Sequence, residues 1–344
     1  MQPKQYVGID LHRRRSVVVR RSAEGETLEA TRIDHEDLGA FERAVMAAGE
    51  HPEVVLEAAY GWYWAVDWLQ ELGCEVHLAH PLGNNWGHRR VKNDLRDAED
   101  LADLLRMGRL AEAWIAPKEV RELRELVRYR AKLVCLRTNC KLQVYAVLAK
   151  EGIAVPMTDL FGVGGMELLE SCHLATAYRT RVESLRELIE VFNRQIAMLE
   201  TDVYHQVAGN TGYKAIQVIP GVGPLFASVF VAEIGDVTRF KSPSHLSSWA
   251  GLTPKHHESD LTVRMGPITK QGSRLVRWAA VEAAQRQGHG TKLRADFARI
   301  TANHGDTPGA RKIARVAVAR KILTLVYYGL RDGTIRSKVV VKAA

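Results

Sequence analysis

Apolar positions in the first hundred residues switch between two periods. YVGID, SVVVR and the polar-apolar stretch Thr27–Ile33 carry the pattern of strands, whereas Leu38–Ala48 repeats at helical spacing. The apolar run EVVLEA at Glu53–Ala58, an amphipathic stretch around Tyr63–Leu72 and EVHLAHP ending at Pro81 then alternate strand, helix and strand. Three early strands followed by β-α-β units predict a mixed sheet. Leu95–Leu105 reads as a further helix, with Asp94 or Asp97 near its first turn, where negative charge is favoured.

Beyond this the pattern is helical. A long polar helix is predicted between Val120 and Lys150, then a Gly/Pro-containing break from Gly152 to Gly165 that reads as a hinge. A second long helix places Val182, Leu185, Ile189, Phe192, Ile196, Leu199 and Val203 at alternating three- and four-residue spacing. Arg181, Glu183, Arg186, Glu187 and Glu190 flank this narrow stripe, which makes it a coiled-coil seam. Either self-association or packing on the first long helix would satisfy it. From Tyr213 the run AIQVIPGVGPLFASVFVAEIG sets Gly221 and Gly223 around Val222 as a tight turn, with Pro224 as the first residue of the next helix. Such a helix-hairpin-helix aims backbone N–H groups at a DNA phosphate.

At 344 residues the chain has room for two or three domains. Its 46% hydrophobic and 26% charged residues suit a soluble protein, and no apolar run reaches membrane-spanning length. The opening MQPKQYVGIDLH lacks the order of a secretion signal, so a cytoplasmic protein is expected. Cys74, Cys135, Cys140 and Cys172 show no paired metal spacing and read as reduced, mostly buried thiols. Charge is informative by its placement. Residues 264–344 hold 17 Lys/Arg against 4 Asp/Glu, a local charge of +13, which leaves −5 for the remainder of a chain whose total is +8. This asymmetry points to a polyanion partner in preference to a merely solvated face.

Four acids stand where strands end or a helix begins. Asp10 closes VGID, Glu57 closes EVVLE, and Asp94 and Asp97 lie three apart on one helix face, which Asp100 continues. Any one of them alone is more often a cap or a surface charge. Carboxylates that converge repel one another unless a cation sits among them, and a hard divalent ion with oxygen ligands is Mg²⁺ or Mn²⁺. The layout matches ribonuclease-H-like nucleases. A sugar-kinase or actin-like ATPase shares the strand arrangement but needs a Gly-rich phosphate loop, whereas HRRRS follows Asp10.

GIDLH (Gly8–His12), LEAAYGWYW (Leu56–Trp64) and KNDLRDAEDLADLL (Lys92–Leu105) are followed in order by IPGVGP, GDVTRF (Gly235–Phe240), WAGLTP (Trp249–Pro254), HHESDLTVRMG and GPITKQGSRLVR (Gly266–Arg277). In these motifs and their order the chain resembles the DEDD transposases of bacterial insertion sequences, the IS110 family, related to Piv/MooV-like DNA invertases. The resemblance implies an α/β RuvC-like domain at 1–115, in which Asp10, Glu57, Asp94 and Asp97 hold the metal and Asp100 is a spare. It implies a helical coiled-coil connector at 116–210 and a mainly α carboxy-terminal transposase domain at 211–344, with the helix-hairpin-helix and a serine nucleophile. Ser259 falls on the nucleophile's position, Ser248 and Ser273 being weaker alternatives. Glu258, Asp260 and Leu261 depart from the family's small-residue loop.

Gly221, Gly223, Arg264, Lys270 and Arg274 are the expected nucleic-acid contacts; His256 and His257 read as solvated loop residues. The resemblance further implies donor and target DNA as partners, a structured guide RNA from the element, and a dimeric or tetrameric assembly without membrane attachment. Two rivals remain. One is a junction-resolving nuclease in which water attacks and Ser259 is incidental; the other is a non-catalytic nucleic-acid-binding regulator, which presence of all four acids disfavours.

Overall fold

In a computed structural model, residues 4–83, 93–260 and 262–336 are described. Contacts divide the chain into two units, Met1–Ala116 and Pro117–Ala344. Lys92 and Leu261, named above within motifs, lie outside the described residues.

The first unit is built on strands β1 (Gln5–Leu11), β2 (Arg15–Ser22), β3 (Thr27–Asp34), β4 (Glu53–Glu57) and β5 (Glu75–Ala79), in spatial order β3-β2-β1-β4-β5. β1, β2 and β3 pair antiparallel, while β4 joins β1 and β5 joins β4 in parallel. Helices α1 (Leu38–Met46) and α2 (Trp62–Glu71) make the connections to β4 and β5, so the predicted mixed sheet is present. α1 stops short of the expected Ala48 because the chain turns at Gly49, with φ of 117°.

Alternation along β1 and β4 sorts their residues between two faces. Val7, Ile9, Val54 and Leu56 join the core beneath α1 and α2 with Phe41, Val45, Val66 and Leu69. The other face receives α3 (Asp94–Arg106), whose Leu101 and Leu105 pack with Val55 and Ala79. Gly8 sets how closely α3 can lie. A Cβ there would stand 2.0 Å from the carbonyl oxygen of Ala98 and 2.9 Å from the nitrogen of Ala102, both helix backbone that cannot yield. Gly8→Ala should therefore push α3 off the sheet. Overpacking of this kind costs about 2–3 kcal/mol, so thermal melts should show a lower midpoint. An unchanged midpoint would refute the account.

The second unit begins with α4 (Lys118–Lys150), α5 (Val163–Ser171) and α6 (Thr176–Val207). α4 and α6 pack along each other, and the stripe predicted on α6 is taken up within the chain: Val182, Leu185, Ile189, Ile196 and Val203 are buried. α5 begins inside the segment expected to be a break, because Leu160 and Leu169 are pulled into a small core shared with α4 and α6. Helices α7 (Thr211–Ile216), α8 (Pro224–Ile234), α9 (Pro243–Trp249), α10 (Arg274–Gln285), α11 (Lys292–Asn303) and α12 (Pro308–Asp332) contribute to the larger core. Arg128 ties α4 to α8 by a two-pronged pair with the buried Glu233, at 2.7 and 3.1 Å.

Between α9 and α10 stands a two-stranded hairpin, β6 (Pro254–Ser259) and β7 (Thr262–Ile268), where a plain loop was expected. Its residues are mostly exposed, so the apolar alternation that announces a strand is absent from PKHHES. Cys74 and Cys140 are buried, Cys172 is half-buried and Cys135 is exposed on α4. Burial pushes the Cys74 thiol up to about 11. Among the described residues no helix is long and apolar enough to cross a membrane.

Candidate active site

Asp10 is the sixth residue of β1, on the strand face that Gly8 turns toward α3. Ile9 pairs with Leu56 across the parallel β1–β4 ladder, so the next residue of each strand brings Asp10 beside Glu57. Alternation puts Glu57, like Val55, on the same face as Asp10. α3 starts at this end of the sheet: the Asn93 side chain caps it by accepting from the Leu95 N–H, and Asp94 and Asp97 occupy its first turn. Negative charge is favoured at that position by the helix dipole.

Asp10, Asp94 and His12 each offer a ligand atom, all within 4.8 Å of one another. His12 Nε2 lies 3.0 Å from Asp10 Oδ2 and 3.5 Å from Asp94 Oδ2, and Arg15 Nη2 reaches Asp94 Oδ2 at 3.3 Å. Burial pushes the Asp10 carboxyl above its ordinary range; His12 opposes this, and the negative charges of Asp94 and Asp97 add to it. Burial is the chief cause, and the neighbouring acids add to it. A hard divalent ion fits this donor set, since it takes carboxylate oxygens and can accept an imidazole nitrogen if it is Mn²⁺. Asp10, Asp94 and Asp97 are thus brought together with Glu57 on the neighbouring strand, while Asp100 follows one turn along α3, half-buried. The sequence reading passed over His12. Its signal was present in GIDLH, where two-residue spacing from Asp10 at a strand end puts both on one face.

Ser259 closes β6 and faces Thr262 across the hairpin, exposed; Asp260 turns the chain with φ of 51°. Arg264 is exposed on β7 opposite His257. The hairpin's base is held by the motifs on either side. Thr269 N–H donates to Thr253 and Lys270 N–H to Gly251, at 2.9 and 3.1 Å, while Arg277 Nη1 donates to the carbonyls of Ala250 and Gln271. Arg239 of GDVTRF lies over the rings of Phe240 and Trp249, at 4.1 and 4.9 Å, and burial first, then Arg124, lowers it to about 10. Lys270, with φ of 57°, and Arg274, at the start of α10, are exposed nearby.

Of the two turn glycines, Gly223 is exposed before Pro224, and a Cβ there would meet open space. Gly221 is different: with φ of 83°, its Cβ would come 2.5 Å from the Ala283 carbonyl, so packing on α10 demands glycine there.

Two family profiles match the chain. One, described as a transposase of the DEDD IS110 type, covers residues 7–151; the other, described as "Transposase IS116/IS110/IS902 family", covers 213–297. A Sinorhizobium fredii protein named as a transposase is 29% identical over 285 residues, 81% of this chain and 70% of its own length. A transposase for an insertion sequence element of Yersinia enterocolitica is 23% identical over 344 residues, spanning 96% of this chain and 98% of its own. A pilin gene-inverting protein of Moraxella lacunata is 28% identical over 168 residues, 45% of this chain and 51% of its own. With the two profiles together matching residues 7–151 and 213–297, and similarity over nearly the full length, the chain belongs to the IS116/IS110/IS902 family of transposases.

Proposed function

We propose that this transposase is a metal-assisted serine recombinase, with a RuvC-like, ribonuclease-H-like first domain. The observation that carries the reading is the gathering of Asp10, Asp94 and His12, with Asp97 and Glu57 beside them, at one end of a mixed sheet. Asp10, Glu57, Asp94 and Asp97 hold Mg²⁺ or Mn²⁺, which supplies charge to stabilise a phosphodiester under attack. Ser259 is the nucleophile. Its Oγ–P bond forms as a sugar oxygen leaves and takes up a proton, and the resulting ester is resolved when the hydroxyl of another strand attacks the same phosphorus.

In this reading residues 116–210 form a connector and 211–344 the domain that presents the serine. The exposed Gly223 at the start of α8 serves a helix-hairpin-helix contact, and Arg264, Lys270 and Arg274 neutralise phosphates. Donor and target DNA are the substrates, and a structured RNA from the element selects them. The protein works as a dimer or tetramer in the bacterial cytoplasm, where its DNA is. Self-association is supported by Leu188, Val191 and Met198, exposed on α6 while its other stripe is buried against α4. The testing experiment combines purified protein, Mg²⁺ and duplex carrying the element's ends with the RNA. A protein–DNA adduct resistant to denaturation, followed by strand exchange, is expected; strand hydrolysis without adduct would overturn the reading.

A further inference from the structure

Two motifs beside the acid cluster are left unused by the metal and the serine. HRRRS forms the turn from β1 to β2: Arg13 and Arg14 are exposed, and Arg15 leans back to Asp94. YGWYW follows the end of β4 at Glu57 after two residues, Ala58 and Ala59, and runs into α2. Tyr60 is 90% exposed, Tyr63 40% and Trp64 38%, three large rings within five residues. Exposed rings so close together along the chain offer faces on which a base can stack. Gly61, with φ of 80°, sets Tyr60 off from the helix, and a Cβ at Gly61 would meet only open space.

His35 joins the two motifs. One of its ring nitrogens bonds the buried Ser16 hydroxyl at 2.7 Å, its backbone N–H donates to the Arg14 carbonyl at 2.8 Å, and its ring meets Trp64 edge-on at 5.0 Å. Tyr63 in turn meets Trp62 edge-on at 4.4 Å. The Arg14 backbone and the Trp64 ring thus both meet His35, which sets the arginine turn and the aromatic segment side by side as a rim at the end of the sheet where Asp10 and Glu57 close their strands.

The geometry points to this rim as a binding site for an unpaired stretch of DNA beside the bond being cut. Tyr60, Tyr63 and Trp64 stack on base faces, and Arg13 and Arg14 neutralise the adjoining phosphates. An intact duplex keeps its base faces stacked internally, so the rings can engage only bases already parted from their partners. The arginines select a polyanion over an apolar protein segment, and alternating cation and ring is how single strands are held without regard to sequence. The inference rests on the recombinase reading of the neighbouring acids.

The test uses the full chain and a single-stranded oligodeoxynucleotide carrying 2-aminopurine, whose fluorescence falls when it stacks. Wild type should bind and quench it. Tyr60→Ala with Tyr63→Ala should weaken binding about fivefold or more and remove the quenching, whereas the matching Phe pair keeps both. Tyr60→Ala alone, at so exposed a position, serves if the double variant misfolds. Arg13→Gln with Arg14→Gln should lower the salt dependence by about two phosphate contacts and leave quenching at saturation intact. The proposal falls if the alanine pair binds and quenches as wild type does, if wild type binds without quenching or not at all, or if a sequence-matched RNA strand binds more tightly. Failure of the recombinase reading is separate: a pre-opened duplex would stay uncleaved with Mg²⁺ although the single strand still binds.

Discussion

Asp10→Asn is expected to abolish strand cleavage, by about 10³-fold or more, while leaving the protein folded and at least as heat-stable when no metal is added. The size of the loss follows from charge stabilisation by a bound divalent ion, worth several kcal/mol, at one power of ten for each 1.36 kcal/mol or so. Stability moves the other way because burial and the charges of Asp94 and Asp97 raise the Asp10 carboxyl in the folded chain. Its folded form therefore binds a proton more tightly than its unfolded form, and stability must drop as pH rises through and above the ordinary aspartate range, near about 3.9. Other carboxylates, such as Asp236, lowered chiefly by Thr238, slope oppositely, so the informative quantity is the melting difference between wild type and Asp10→Asn. That difference should grow with pH in metal-free buffer and shrink when Mg²⁺ or Mn²⁺ binds the folded wild type. Cleavage surviving in Asp10→Asn, or a melting difference indifferent to both pH and metal, would remove the acid cluster from the chemistry.

The sheet and its acids were legible because burial writes them into the sequence. Val7, Ile9, Val54 and Leu56 carry strand periodicity, and strand ends deliver Asp10 and Glu57 wherever parallel neighbours lie in register. The joining of HRRRS to YGWYW was not legible because it depends on which segments meet in space: His35 and Trp64 are far apart in sequence and neither motif announces the other. The α6 stripe was legible as a seam, but its period says only that an apolar partner exists; that α4 supplies it is a matter of chain topology. The hairpin was hidden for the opposite reason. PKHHES buries almost nothing, so no apolar period marks it, and its place is set by backbone bonds from Thr269 and Lys270 to the α9 side. At Gly221 the letter alone does not say how many demands it meets: φ of 83° fits the expected turn, and the Ala283 carbonyl 2.5 Å from its absent Cβ adds a packing demand that only the fold reveals.

Ser259→Ala should eliminate the covalent protein–DNA species and strand exchange, by about 10⁴-fold or more, without altering the melting midpoint. Ser259 is exposed at the end of β6, and a substitution in such surroundings changes stability by no more than about 0.5 kcal/mol. Loss of activity there is loss of chemistry. Ser273 supplies the contrast. Its hydroxyl accepts from the Val276 N–H at 3.2 Å and caps α10, so Ser273→Ala should cost about 1 kcal/mol of stability and still form the adduct. Ser248, within α9, should likewise be dispensable for attachment. The assay is denaturing electrophoresis of protein with end-labelled DNA and Mg²⁺, then peptide mapping of the retarded band. In a water-activating nuclease the same Ser259→Ala protein would go on releasing free cut strands at the wild-type rate, because its attacking oxygen comes from solvent. Attachment mapped to a peptide other than the β6–β7 hairpin would reassign the nucleophile and leave the acids of the first unit as the metal site.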